Sequence, residues 1–425
     1  MPNENTIYKM IKDREQAILV SVDLDNGANI QDEIKELENL ADACDIDTVG
    51  TLIQNLEETN PRTYIGTGKI EELKTMIASL DATLVIFNDE LTPVQIENLE
   101  DILEVSIFDR TYIILEIFKR RAKTKEAILQ VQMASLKYSL PRLKGLRQGL
   151  SRQGGSGFNK GKGETQLEID RRNIESRIAD IKHELSDLTL NRQNQRKKRN
   201  NSSIFKVCLC GYTNSGKSTL LNAMLDLQDS KTKVFEKDML FATLETQTKL
   251  IKAKNIKYLL TDTVGFISKL PHNLVEAFKS TLEEITEADL ILHVIDSSNP
   301  NYQNQIKTTN EVLTEIGVGN IPMIYVFNKM DKINEYFYIP PKYENTIRIS
   351  AKKKMNLDGL TDLIIKELTT TYHIVTLHVP YHKGNIINMI LENNGIIDST
   401  LYEDDIIISC KLNDILFNQL QEYIK

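Results

Sequence analysis

The sequence predicts an α/β protein in four parts. These are an N-terminal parallel α/β domain over residues 1–118, a long antiparallel helical hairpin over 119–200, a second α/β domain over 204–371, and a small C-terminal α+β domain over 372–425. Three observations predict it. Short β-rich runs alternate with amphipathic stretches in the first and third parts, the pattern of a mostly parallel sheet covered by helices. Between them, Leu167, Ile174, Ile178, Ile181, Leu185 and Leu188 recur at heptad-like spacing, which suits one long helix. Finally, positive charge is concentrated in that helical part.

In 1–118 the β-rich runs are Ala17–Val22, Thr48–Ile53, Thr83–Phe87 and Val105–Phe108. Ile30–Ala43 and Lys69–Leu80 are amphipathic and read as helices. A further helix starts at Thr92-Pro93-Val94-Gln95, with threonine as N-cap, proline at the first helical position and glutamine reaching back. In 119–200, Ala127–Leu140 is a helical stretch, and the glycine-rich, basic run Pro141–Gly163 suits the tip of a hairpin. Arg196–Arg199 and the following Asn-Asn-Ser-Ser read as a linker. In the last part, Ile374–Val379 and Asp405–Cys410 read as strands, and a final helix is expected through Leu412–Ile424.

The net charge of −8 argues against nucleic-acid binding by the average surface. That average hides an asymmetry. Lys119–Arg199 holds 21 Lys/Arg against 8 Asp/Glu, an excess of 13, so the remainder carries −21. Within Lys119–Gly163 there are 12 basic residues and one acid, Glu126. A charge run is usually a solvated helix face; here the near-absence of acids and the glycine-rich tip point to a polyanion. The four cysteines, Cys44, Cys208, Cys210 and Cys410, form no Cys-x-x-Cys pair, and reduced thiols are expected. His272, His293 and His378 have no carboxylate or cysteine at ligand spacing, so no zinc is expected. No run approaches the ~18 apolar residues of a membrane span, and no signal-peptide core is seen.

The apolar strand Ile204–Cys210 runs into Gly211-Tyr212-Thr213-Asn214-Ser215-Gly216-Lys217-Ser218 and then a helix from Thr219. This is the phosphate-binding P-loop in its strand–loop–helix setting: backbone N–H groups cradle phosphates, Lys217 reaches the β- and γ-phosphates, and Ser218 ligates Mg²⁺. Tyr258–Thr261 is a strand ending in Asp262-Thr263-Val264-Gly265, where Asp262 suits a water-mediated Mg²⁺ contact and the Gly265 N–H can sense the γ-phosphate. Asn328-Lys329-Met330-Asp331 follows the strand Met323–Phe327. A carboxylate at Asp331 accepts from N1–H and the 2-amino group of guanine, donors that adenine lacks. Asn328 would contact the base and tie loops together, and the Lys329 stem would cover it. Ser350-Ala351-Lys352, after the strand Thr346–Ile349, would offer a backbone N–H to O6. Phe241-Ala242-Thr243-Leu244-Glu245 lies where a loop should close over the γ-phosphate, with Thr243 the candidate Mg²⁺ ligand and Thr246 and Thr248 its competitors. Segment 204–371 is therefore predicted to be a P-loop GTPase (G) domain. Lys217, Thr243 and Gly265 are its expected catalytic contacts, and Ser218 and Thr243 its metal ligands. Phe266 stands where many such switches carry a water-orienting glutamine, so slow hydrolysis stimulated by a partner is expected. Asn214 is a candidate ligand for K⁺, although bracing the loop is the plainer role.

These motifs resemble those of the HflX family of translation-associated GTPases. The resemblance extends to Tyr64-Ile65-Gly66-Thr67-Gly68-Lys69, Asn88–Pro93, Asp109-Arg110-Thr111, Leu150–Gly155 and the run to Ile267. It implies binding to the large ribosomal subunit and, in the GTP form, splitting of stalled or idle ribosomes. The N-terminal domain and hairpin would contact ribosomal RNA, with the glycine-rich tip near the peptidyl-transferase region. Two departures are visible: the family's Gly-Pro-Gly-Glu is Gly161-Lys162-Gly163-Glu164 here, and its Asp-Pro-Thr-Thr is Glu245-Thr246-Gln247-Thr248. A monomer is expected, in the cytoplasm, on ribosomes or peripherally at the membrane. Two other functions compete: a GTP-licensed assembly factor for the large subunit, and an ATP-driven RNA-remodelling activity in the first domain. For the second, Gly66 and Gly68 would have to cradle a phosphate rather than form a structural turn.

Overall fold

The computed structural model describes residues 14–24, 30–144, 160–199, 204–227, 246–253, 256–269, 282, 284–318, 321–333, 337–369, 373–392, 396–401, 405–412 and 414–424. The chain falls into two compact units, Met1–Ser186 with Lys269–Ala277, and Asp187–Ser268 with Phe278–Lys425. The observed α/β architecture is the one predicted.

The first unit is built on a parallel sheet of order β2-β1-β3-β4, from β1 (Glu15–Asp23), β2 (Ile46–Asn55), β3 (Leu84–Phe87) and β4 (Ser106–Asp109). β1 is buried continuously from Ala17 to Asp23, as expected of a strand covered on both faces. α1 (Ile30–Ala43), α2 (Thr67–Leu80), α3 (Pro93–Leu103) and α4 (Arg110–Arg121) pack around it. α3 starts as its sequence dictates. Thr92 Oγ1 accepts from the Gln95 N–H (3.3 Å), and Gln95 Oε1 accepts from the Thr92 N–H (2.9 Å). Gly66 caps α2, with its N–H donated to Gln54 Oε1 at 2.9 Å, so this turn is closed by a side chain of the protein itself.

At the carboxyl edge of this sheet, polar side chains replace the apolar core. Arg110, 2% exposed, donates to Asn88 Oδ1 (2.8 Å) and pairs with Glu36. Asn88 in turn donates to Ser21 Oγ (3.2 Å) and Glu33 (2.7 Å). Glu33 and Asp89 also receive Lys269 Nζ, at 2.8 and 2.7 Å. Beside them lies Asp109, the N-cap of α4. Its carboxylate is fully buried and accepts from the N–H groups of Tyr112 (2.8 Å) and Leu91 (3.2 Å), from Tyr138 Oη (2.7 Å) and from Arg142 Nη2 (2.8 Å). Tyr138 lies in the last turn of α5 (Lys125–Ser139), and Arg142 lies just beyond that helix with its guanidinium over the Tyr138 ring. One carboxylate thus ties the base of the basic hairpin to the sheet. The long α6 (Lys160–Arg199) follows, with Ile181 fully buried and Ile174, Ile178, Leu185 and Leu188 half-buried, matching the heptad-like spacing. Burying an isoleucine like Ile181 contributes about 1.5–3 kcal/mol. The glycine-rich tip, including Leu150–Gly155, and the side chains of Gly161–Glu164 lie outside the described residues.

The second unit carries a six-stranded sheet of order β10-β9-β8-β5-β7-β6, parallel except for the edge strand β6. Its strands are β5 (Phe205–Cys210), β6 (Gln247–Ala253), β7 (Ile256–Asp262), β8 (Leu290–Asp296), β9 (Met323–Asn328) and β10 (Thr346–Arg348). Helices α7 (Lys217–Asp226), α8 (Tyr302–Glu315) and α9 (Leu357–Thr369) accompany it. The winding reverses at β5, with β7 on one side and β8 on the other. The crevice beyond the carboxyl end of β5 is the topological switch point at which such sheets bind ligands.

A separate antiparallel sheet, β11 (His373–Pro380), β13 (Asp405–Leu412) and β12 (Ile396–Leu401), has its own core together with α10 (Gly384–Glu392) and α11 (Asp414–Gln419). The helix expected through Leu412–Ile424 is shorter than predicted. Leu412 pairs with His373 at the end of β13 and is fully buried, so strand pairing claims it first, and a separate turn of 3₁₀ helix covers Gln421–Tyr423. All four cysteines are free and buried; burial pushes the Cys44 thiol up to about 12. Among the described residues no helix is long and apolar enough to cross a membrane.

Candidate functional site

The loop between β5 and α7 needs backbone that only glycine supplies cheaply. Gly211 has φ +142°, and a Cβ there would lie 2.2 Å from the Val294 carbonyl oxygen. Gly216 has φ +94°, and a Cβ there would meet Asn328 Nδ2 at 2.3 Å. Both glycines let neighbouring strands close on the loop. Asn214 also takes a left-handed conformation, φ +57°, which asparagine tolerates.

Lys217 begins α7 and is 6% exposed. Its Nζ donates to the carbonyls of Gly211 (3.0 Å) and Tyr212 (2.9 Å), so the ammonium is aimed back into the loop. Burial pushes its pKa from 10.5 down to about 8, although nearby Asp262 opposes the shift. Bound phosphate would restore the charge, so binding above this value must take up a proton. GTP and GDP affinity should therefore fall as pH rises past about 8, approaching tenfold per pH unit, in a fluorescent-nucleotide titration from pH 7 to 9.5. The nucleotide-free chain should respond with the opposite sign. Between about 8 and 10.5 its unfolded state holds more protons at this lysine, so its stability should gain as pH rises.

Ser218 and Asp262 come together although they lie far apart in sequence, with Ser218 Oγ donating to Asp262 Oδ2 at 2.6 Å. A hydroxyl beside a fully buried carboxylate is a hard-oxygen pair that suits Mg²⁺, whose remaining positions phosphate and water usually fill. Thr263 Oγ1 anchors the end of β7 by donating to the Leu209 carbonyl at 2.6 Å, and Val264 is buried. Gly265 lies directly against the P-loop: a Cβ there would be 2.8 Å from Thr213 Cα and 3.0 Å from Lys217 Nζ. Gly265→Ala should therefore displace this segment and slow GTP turnover by about tenfold or more, while GDP affinity changes little. Phosphate-release kinetics beside GDP titration will check this. Phe266 is 1% exposed, so its ring is core and takes no part in orienting water.

The motif at the end of β9 is held from several sides. Asn328 donates to the Ser215 carbonyl (2.9 Å) and accepts from the Ala351 N–H (3.0 Å), joining three loops. Ala351 therefore has its own N–H engaged within the protein, and of the three residues Ser350-Ala351-Lys352 it is not a free donor toward a base. Ser350 Oγ donates to Asp331 Oδ1. That bond, chiefly, holds the Asp331 carboxyl below its ordinary pKa and keeps it an acceptor. The Met330 N–H bonds to the Ile349 carbonyl at 3.1 Å. Lys329, with φ +63°, sends Nζ to the Asn214 carbonyl (2.7 Å) and to Asp296 Oδ2 (2.8 Å). Asp296 was not singled out from the sequence. The signal was there in Leu290–Asp296, an apolar strand ending in an acid just before Ser-Ser-Asn-Pro.

Phe241, Ala242, Thr243, Leu244 and Glu245 lie outside the described residues, so the structure does not place the first switch loop. Of the competitors, Thr248 is engaged elsewhere: it sits in β6, and its Oγ1 is 3.0 Å from Thr261 Oγ1 across the strand pair. His293, buried in β8, is pushed down to about 3 by burial and by nearby Lys217, so it is neutral.

Comparison with known proteins agrees with this geometry. Residues 31–119 match the family described as GTP-binding GTPase N-terminal, 121–199 the GTP-binding GTPase Middle Region, and 206–329 the 50S ribosome-binding GTPase family. The chain is 43% identical to GTPase HflX of Caldanaerobacter subterraneus subsp. tengcongensis, over 98% of this chain and 95% of the relative. It is 40% identical to GTPase HflX of Lacrimispora saccharolytica, over 96% of both chains. With GTPase HflX of Akkermansia muciniphila the identity is 35%, over 96% of this chain and 97% of the relative. With these relatives matched end to end and a P-loop at the sheet's switch point, the chain is a GTP hydrolase and belongs to the HflX family of GTPases.

Proposed function

We propose that the GTP-bound protein docks on the large ribosomal subunit and splits stalled or idle ribosomes, with hydrolysis to GDP resetting it. The observation that carries this reading is the charge division: an excess of 13 positive charges in 119–199 on a chain whose net charge is −8. A basic hairpin of this kind neutralises RNA phosphates, and binding should weaken steeply with salt. The description of the matched family, a 50S ribosome-binding GTPase, points the same way. Mg²⁺ would be held at Ser218 and Thr243, and K⁺ at Asn214. The protein would work as a monomer in the cytoplasm, on ribosomes or peripherally at the membrane.

Light scattering and gradient sedimentation of intact ribosomes, with GTP, a non-hydrolysable analogue and GDP, will test this. Subunits should separate with GTP and with the analogue, but not with GDP. If the analogue-bound protein left intact ribosomes whole and bound only immature large subunits, splitting would be ruled out in favour of assembly. Large subunits should also raise the GTPase rate, and replacing potassium by sodium in the same assay tests Asn214.

A further inference from the structure

The segment after Asp262 is attached to the P-loop at three points. The Phe266 N–H donates to the Gly211 carbonyl at 3.1 Å, and the Thr213 N–H donates to the Phe266 carbonyl at 2.7 Å. Together they form a parallel bridge between Tyr212 and Phe266 that extends the pairing of β5 with β7. The third attachment is a side chain. Tyr212 Oη accepts from the Ser268 N–H at 2.7 Å and donates to Ser268 Oγ at 2.8 Å. Tyr212 is 8% exposed and Phe266 and Ile267 are fully buried, so all three belong to the packed body of the domain, with Ser268 half-buried beside them.

The consequence falls on Gly265. Its position is set from one side by Asp262 and Thr263 at the end of β7, and from the other by Phe266 and Ser268. The two groups expected at the γ-phosphate are Lys217 Nζ and the Gly265 N–H, and the P-loop already holds Lys217 through the carbonyls of Gly211 and Tyr212. Tyr212 therefore touches the lysine directly and Gly265 only through Ser268: its carbonyl receives Lys217 Nζ, and its phenol holds the residue three positions after Gly265. With the side chain at 266 buried as core, the orientation of the γ-phosphate contact is left to the backbone, which the phenol braces together with the two main-chain bonds at Phe266.

We infer that Tyr212 is a positioning residue for GTP hydrolysis, its phenol fixing Ser268 so that the Gly265 N–H is held over Lys217 for the terminal phosphate. This rests on the GTPase activity alone and is independent of any ribosomal partner. GDP has no γ-phosphate and does not engage Gly265, so the phenol bears on turnover and not on GDP binding.

Tyr212→Phe tests it, because the ring and the backbone bridge are kept while the hydroxyl is lost. The kcat for GTP should fall roughly 5–30-fold, the value of one or two neutral hydrogen bonds, while KM and GDP affinity stay within about twofold. Ser268→Ala removes the hydroxyl that accepts from the Tyr212 phenol and should lower kcat about threefold, again without moving GDP affinity. Because both substitutions act through one phenol, the double variant should be no slower than Tyr212→Phe alone. Unchanged kcat in Tyr212→Phe would overturn the inference, as would multiplicative effects in the double variant. A parallel loss of GDP affinity, or failure of Tyr212→Phe to bind GDP, would assign Tyr212 to folding of the loop and overturn it equally.

Discussion

Asp331→Asn is expected to weaken GTP binding by roughly a hundred- to a thousandfold and to make XTP the better ligand. An ionised Asp331 would accept two hydrogen bonds from guanine; each charge-assisted bond is worth about 1.5–3 kcal/mol, and asparagine offers one acceptor and a donor that opposes the 2-amino group. Xanthine carries an oxygen at that carbon, which the new amide can reach. Ser350 lowers the Asp331 pKa, which keeps the wild-type carboxylate ionised under assay conditions. The neighbouring ties, Asn328 to Ser215 and Ala351, and Lys329 to Asp296, do not involve the Asp331 carboxylate, so the loop should persist in the variant. Competition between GTP and XTP for a fluorescent nucleotide reads the outcome. Retained preference for GTP would refute the base-reading role of Asp331.

Asp109→Ala is expected to destabilise the first unit by about 3–5 kcal/mol, the usual cost of removing one partner of a buried charged network. The loss has several parts. The α4 cap disappears, the Leu91 N–H loses its acceptor, and Arg142 loses its counter-charge. Burial and the Asp109 charge push the Tyr138 hydroxyl pKa up, so it remains a donor with no carboxylate to meet. Asp109→Asn, which keeps one acceptor and the shape, should cost about half as much. Hydrogen exchange should quicken across 84–144, where the acceptor's partners lie, while nucleotide binding in the second unit is retained. Unchanged exchange there would mean that Asp109 does not fasten the hairpin.

Much of the local structure was legible because local chemistry decides it. α1 coincides with the predicted Ile30–Ala43, and the capping box at Thr92 is present with both bonds. The spacing of Ile174 to Leu188 anticipated which face of α6 is covered, since residues three and four apart lie on one face of any α-helix. The misses have another origin. The run Gln247–Ala253 alternates polar and apolar residues too weakly to announce a strand; it is β6 because β7 pairs with it antiparallel. The final helix was drawn too long because Leu412 is a good helix former, and tertiary pairing with His373 overrides that preference. Asp109 was noted in a motif, but no pattern in the chain could say that Leu91, Tyr112, Tyr138 and Arg142 would all converge on it.

The sequence by itself determined the chemistry: a P-loop, an Asp-x-x-Gly and an Asn-Lys-x-Asp in that order specify a guanine nucleotide, and the positions of Lys and Arg specify where a polyanion would lie. Residue type and short spacing carry that information, because glycine conformation, caps, helical period and charge are local properties. Tertiary structure alone decided which groups meet. Ser218 meets Asp262 from 44 positions away, Lys329 meets Asp296, Asn328 takes the Ala351 N–H, and Tyr212 holds Ser268. Each of these partners is chosen by strand order and register around β5, and a hydrogen bond between distant residues exists only once the sheet has brought its two ends within about 3 Å.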